Sequence, residues 1–307
     1  MTVAFESEQE RLARLEEELA NFRALMAHVH ATPDEISLKS IDIYGASYPL
    51  DGQLGGDHII FVDFARRYDL DHLIEEAERE GARDRAAQLR EGRRRVGVLL
   101  ADASGHSTTD AVLTAMLHQA FLTGVLYELE VHGHVTAKLF EILNTRFHRS
   151  SSVTKFVTMI YGEISERGIF RFISAGHPAP MIFSAEFDCF VRIDPARLRT
   201  FFPVGMFPTE AGVEERTEPK PRVAKKKYTV NEVNLMAPGD LLFLFTDGLG
   251  DHAAAGGQSF VPGRFEATVR ASKHLPARDI VAAVRDDMER FAPQTDDTSL
   301  VVIKRVR

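Results

Sequence analysis

Between residues 6 and 30 the apolar positions Leu12, Leu15, Leu19, Phe22, Met26 and Val29 recur at spacings that alternate between three and four. That alternation is the a/d seam of a heptad, and it predicts an amphipathic helix stopped by Thr32-Pro33. Two uses fit the seam: pairing with a second copy of the chain, or lying across the chain's own domain. So short a seam is marginal as a free coiled coil. From about residue 36 the pattern changes to short apolar runs, Ile41 to Tyr44, Ile59 to Phe64 and Val96 to Ala101. These read as strands, with turn signals at Asp51-Gly52 and Gly55-Gly56-Asp57.

The segment from Arg66 to Arg95 holds nine arginines against eight acidic residues. It reads as a charge-balanced helical hairpin with a solvated outer face, divided at Gly81. A long helix follows from Thr108 to Leu129, its period marked by Val112, Ala115, Met116, Gln119 and Leu122, and another runs from Val135 to Phe147. Apolar runs return at Phe156 to Ile164, Ile169 to Ser174, Met181 to Phe183, Leu241 to Phe245 and Leu300 to Ile303, with a helix at Pro276 to Phe291. Residues 208 to 228, which include Lys225, Lys226 and Lys227, read as a polar loop. The organisation expected is an N-terminal helix over 1–33, then one domain over 34–307 with a helical insertion at 66–95.

Composition narrows the classes. The chain has 307 residues, 44% hydrophobic and 27% charged, within the globular range. A net charge of −8 provides no general field for nucleic acid or an anionic membrane. No run approaches the ~20 apolar residues of a membrane span, and no signal-peptide pattern opens the chain. Cys189, the only cysteine, can form neither an internal disulfide nor a thiolate cage. The expectation is a cytoplasmic protein without nucleic-acid or membrane partners.

The candidate chemistry lies in aspartates at strand ends. Asp57 precedes one apolar run, Asp102 and Asp247 follow two others, and Asp296-Asp297 precede a fourth. One such aspartate is ordinarily a turn residue. Four beside buried runs converging in a sheet fit a site for a hard divalent cation, which takes oxygen ligands. Small residues in Asp102-Ala103-Ser104-Gly105-His106-Ser107 let backbone carbonyls approach an ion. Two ions so held would clamp a phosphate and acidify a bridging water, so that hydrolysis of a phosphate ester needs no covalent nucleophile.

In order along residues 40 to 305 stand Gly55-Gly56-Asp57, Asp102-Ala103-Ser104-Gly105-His106, Ser174-Ala175-Gly176-His177-Pro178, Pro203-Val204-Gly205, Pro238-Gly239-Asp240, Thr246-Asp247-Gly248 and Asp296-Asp297-Thr298-Ser299. This series resembles that of the SpoIIE/RsbU-type, metal-dependent (PPM) serine/threonine protein phosphatases. The resemblance implies an α+β fold: two packed, mainly antiparallel sheets flanked by helices in α-β-β-α layers. It also implies a pair of Mn²⁺ or Mg²⁺ ions held by Asp57, Asp102, the Ala103 carbonyl, Asp247 and Asp296, with Asp297 orienting the neighbouring loop. The implied substrate is a phosphorylated STAS-domain anti-anti-sigma protein in a partner-switching pathway, and the implied role of residues 6–30 is homodimerisation.

The sequence departs from that pattern at Ile60, where an acidic residue is usual, at Ser107 for a glycine, at Asp251 for a glutamate, and in the length of 66–95. None of these removes an expected ligand. The histidines His58, His106, His118, His177 and His252 lack zinc-site spacing, and Ser104 lacks the G-x-S-x-G elbow of serine hydrolases. The competing class is a catalytically inactive, phosphatase-shaped binding module.

Overall fold

The computed structural model describes residues 8–29, 36–50, 55–105, 108–150, 155–208, 227–234 and 237–306. The helix stop at Thr32-Pro33, the turn at Asp51-Gly52, His106, Ser107 and most of the 208–228 loop lie outside the described residues.

In chain order the elements are α1 (Glu8–Val29), β1 (Ile41–Tyr48), β2 (Asp57–Asp63), α2 (Phe64–Arg67), α3 (Leu70–Arg79), α4 (Arg83–Gly92), β3 (Arg95–Ala103), α5 (Thr108–His132), α6 (Ala137–Ser150), β4 (Val157–Ser165), β5 (Ile169–Ala175), β6 (Met181–Ser184), β7 (Cys189–Val191), β8 (Thr200–Phe201), β9 (Asn231–Asn234), β10 (Leu241–Phe245), α7 (Asp247–Gly250), α8 (Gly263–Ser272), α9 (Ala277–Phe291) and β11 (Thr298–Arg305). One sheet has the order β1-β11-β10-β6-β7. The other has β2-β3-β4-β5-β8, with β9 also on β5. Every ladder between these strands is antiparallel except β5 with β8.

The layers follow from the period of two along a strand. On β3, Val96, Val98 and Leu100 face the other sheet, while Leu99, Ala101 and Ala103 face helices. On β10, Leu242 and Leu244 point between the sheets, and Leu241, Phe243 and Phe245 point toward α8 and α9. Strands buried on both faces become continuous apolar runs, which is why these two were legible as such. Three cores result: between the sheets, under α3 to α6, and under α8 and α9. This is the expected α-β-β-α sandwich.

Three local outcomes differ from the expectations. Phe64 opens α2 rather than ending β2, because Asp63 caps that helix by accepting from the Arg66 N–H. The inward face of α5 is Ala111, Thr114, Leu117, Phe121, Val125 and Leu129, whereas Val112 and Met116 are exposed. Of the residues that marked the period, Val112, Met116 and Gln119 point outward, while Ala115 and Leu122 are half-buried. The same helix is, by length and composition, apolar enough to cross a membrane, contrary to the expectation that no run approaches a span. Its apolar residues are spread round the helix and interrupted by Asp110, Glu128 and Glu130, which hid the run.

The 66–95 segment contains the helix pair α3 and α4 on either side of Gly81, and its inner face is buried. Leu70, Ile74 and Ala77 of α3 and Ala86 and Leu89 of α4 enter the core under the helices. Between the two helices Gly81 takes φ 73°, a left-handed value that glycine adopts without strain. Helix α1 lies against α5, with Phe22 packed on Ala111, while Leu12 and Leu15 remain exposed.

Candidate metal centre

Strand parity brings the aspartates to one end of the sandwich. In the β2–β3 ladder Asp57 stands directly opposite Asp102. Ile59, Phe61, Val98 and Leu100 point between the sheets, so both aspartates, an even number of residues away, share that face. Asp102 was expected just past its strand, but β3 runs on to Ala103 and the carboxylate projects from within it. From the other sheet, Thr246 follows β10 on the inward parity, Asp247 opens α7, and Asp296-Asp297 lead into β11.

The two sheets are tied together here. Thr246 Oγ1 donates to Asp57 Oδ2 at 2.7 Å and accepts from the Ser299 N–H at 2.9 Å. Asp57 is 2% exposed. Burial, and then the charge of Asp102, push its carboxyl well above the ordinary range, against the Thr246 and Ser299 hydroxyls, which favour the charged form. Asp102 is pushed up to about 7 by burial and by the charges of Asp247 and Asp296. Asp247 is raised by burial, Asp296 and Asp251. These carboxylates repel one another, and a divalent cation would relieve the repulsion.

Backbone oxygen completes the donor set. A β-carbon on Gly56 would stand 2.4 Å from the Gly105 carbonyl oxygen and 2.9 Å from that of Ala103. Only glycine leaves room for the β3 turn to come so near, and the cradle is built of carbonyls and carboxylates, the donors hard cations prefer. Lys155 pairs with the buried Asp110 and donates to the Ser104 carbonyl at 3.2 Å, holding the turn from its far side. The Asp297 carboxylate accepts from Leu50 N–H at 2.7 Å and Gly56 N–H at 2.6 Å, so its oxygens organise the loop ahead of Asp57. Among the described residues no three His, Cys, Asp or Glu side chains converge on a single point. Ions that use one or two carboxylates each and fill the remaining positions with carbonyls and water suit such a spread.

A match to the family model for stage II sporulation protein E (SpoIIE) spans residues 92–306, more than two thirds of the chain. The chain belongs to the SpoIIE family of PPM-type serine/threonine protein phosphatases. No curated protein sequence matches it. Among solved structures, the SiaA PP2C domain of Pseudomonas aeruginosa is similar with a TM-score of 0.63 at 16% identity, covering 96% of this chain and 98% of that one. The RsbU and RsbW domains of Rv1364c from Mycobacterium tuberculosis give 0.58 at 19%, covering 87% and 60%. The SpoIIE phosphatase domain with a regulatory fragment from Bacillus subtilis gives 0.56 at 14%, covering 86% and 63%. The match thus spans under two thirds of the Rv1364c and SpoIIE chains.

The departures of this SpoIIE-family chain now have locations. Ile60 is buried on the helix-facing side of β2, opposite in parity to Asp57, where a charge would enter an apolar core. Asp251 caps the end of α7, close enough for its charge to raise Asp247. His177 is buried, and that burial pulls it down to about 3, so it is neutral. Its Nδ1 lies 3.1 Å from Thr158 Oγ1, which donates in turn to Asp102 at 3.4 Å. The supports Thr158 and Lys155 escaped the sequence reading, and Thr246 entered it only as a motif letter. Each acts on a residue 45 to 189 positions away. The fixed offset of Thr246 before Asp247 was the one available signal.

Proposed function

We propose that this chain hydrolyses phosphoserine or phosphothreonine on a bacterial regulatory protein in the cytoplasm, using two Mn²⁺ or Mg²⁺ ions held by Asp57, Asp102, the Ala103 carbonyl, Asp247 and Asp296. One observation carries the reading: carboxylates from both sheets meet at one end of the sandwich, where burial, and then the charges of Asp247 and Asp296, raise Asp102 to about 7. When bound, such ions supply charge stabilisation to phosphate oxygens and acidify water. The chain's own residues hold the ligands in place. Thr246 orients Asp57, Asp297 fixes the Gly55-Gly56 loop, and Lys155 with Asp110 fixes the turn carrying the Ala103 carbonyl.

RsbX, another fold neighbour with a TM-score of 0.52 at 12% identity, was crystallised in complex with magnesium, which supports that choice of ion class. The joining of RsbU and RsbW domains in Rv1364c supports a partner-switching setting, and so a STAS-domain anti-anti-sigma phosphoprotein as substrate. Helix α1, with Leu12 and Leu15 exposed, is read as a dimerisation element. The alternative, an inactive binding module, is disfavoured by the full set of aspartates.

The test is phosphate release from a phosphoserine STAS protein by the purified chain. Turnover with Mn²⁺ or Mg²⁺ and none after dialysis against EDTA is expected. Undiminished activity in excess EDTA would overturn the reading. Tight Mn²⁺ binding without turnover of any phosphopeptide would favour the inactive module.

A further inference from the structure

Away from the carboxylates, the core between the sheets is hollow at one lateral edge. Where β5 parts from β6 and β7, a cavity of about 450 Å³ opens, walled by Phe172, Met181, Phe190 and Leu198. Phe172 and Leu198 belong to the core between the sheets and Phe190 to the core under α8, so the hollow joins two packed layers. Protein interiors are close-packed, and an opening of this size is in the range of small-molecule sites. Its polar groups are few, as in such sites. The Ser174 and Thr200 hydroxyls bond each other at 3.2 Å. Arg199 lines the cavity, exposed and without an ion-pair partner among the described residues, while its backbone is fixed by Asn231.

We propose that this cavity binds a small molecule with an aliphatic body and one carboxylate, the body lying among Phe172, Phe190 and Leu198 and the head group pairing with Arg199. The guanidinium fork matches a carboxylate in two parallel hydrogen bonds, and an apolar body replaces the water that the aromatic walls hold poorly. The occupant is reported to the metal end by a short path. His177 lines the same cavity, and its ring meets Thr158, whose hydroxyl donates to Asp102. Occupancy therefore changes cation affinity, and by linkage the cation changes affinity for the occupant equally.

The probe is octanoate, titrated calorimetrically into the full chain, with 1-octanol as the uncharged control. Saturable one-to-one octanoate binding in the low-millimolar range or tighter is expected. Arg199→Gln should weaken octanoate at least about tenfold while leaving octanol within about twofold. Val191→Trp, at an exposed position on the rim, should block both ligands with the thermal melt unchanged. Saturating octanoate should shift the Mn²⁺ dissociation constant by about fivefold or more. No saturable binding, or octanoate binding indifferent to Arg199→Gln, would overturn the site. An unmoved Mn²⁺ constant would overturn the coupling. None of these measurements uses turnover, so failure here is separable from failure of the phosphatase assignment.

Discussion

Asp102→Asn is expected to stabilise the metal-free protein while abolishing its response to Mn²⁺. In the metal-free protein Asp102 takes up a proton far more readily than in the unfolded chain, its carboxyl being raised from 3.8 to about 7. Between those values the folded state binds more protons than the unfolded one, so stability falls as pH rises, and it stays low above about pH 7. At ~1.36 kcal/mol per pH unit the full penalty is on the order of 4 kcal/mol. Asp102 is only partly buried, and effective dielectrics in proteins are high, so about 1–2 kcal/mol is the realistic share. Removing the charge should raise the melting temperature by about 3–6 °C in EDTA near pH 8, and by little near pH 4. Added Mn²⁺ should reverse the ranking, stabilising the wild type by mass action and the variant hardly at all. Thermal unfolding followed by circular dichroism, with and without EDTA, reads all of this. A variant that melts at or below the wild type in EDTA near pH 8 would refute the penalty that burial and the neighbouring carboxylates place on a charged Asp102.

Asp247→Asn should lower phosphatase turnover at least about 10²-fold with the fold intact, and His177→Ala should cost less; steady-state kinetics at saturating Mn²⁺ compares the two. Thr246→Val leaves the Asp57 carboxylate and the Ser299 N–H without their shared hydroxyl and should cost about 1–3 kcal/mol in urea unfolding. Gly56→Ala drives a β-carbon into the Ala103 and Gly105 carbonyls, so calorimetry should find Mn²⁺ affinity reduced at least about tenfold. Replacing Leu15 and Leu19 together by Glu should shift sedimentation toward monomer, and a wild type that sediments as monomer at tens of micromolar removes the dimer.

Sequence alone reached the elements whose period is carried by many residues. β3 and β10 are buried on both faces, so their runs were visible, and the four strand-end aspartates could be seen beside them. It failed on α5, where the helix is apolar nearly all round and periodicity could not choose a face: Val112 and Met116 point out, Leu117 and Phe121 in. It also missed β7, β8 and β9, which have two to four residues each, too few for alternation to register. The supports of the site were hidden for another reason. Thr246 reaches Asp57 across 189 positions, and no local pattern marks a contact made only when two sheets pack.

β11 is the last of these strands to be synthesised, yet it is flanked on both sides, by β1 and by β10. While the ribosome is still making residues 1–297, β1 has no neighbour in its sheet and β10 has one open edge. Such edges are templates for pairing with other chains, so the nascent protein passes through a stage that invites aggregation or chaperone capture. Asp296 arrives with the same final segment. A stalled or proteolysed fragment lacking it carries an incomplete site on an unclosed sheet, and assembly of the carboxylate end must wait for the closing strand.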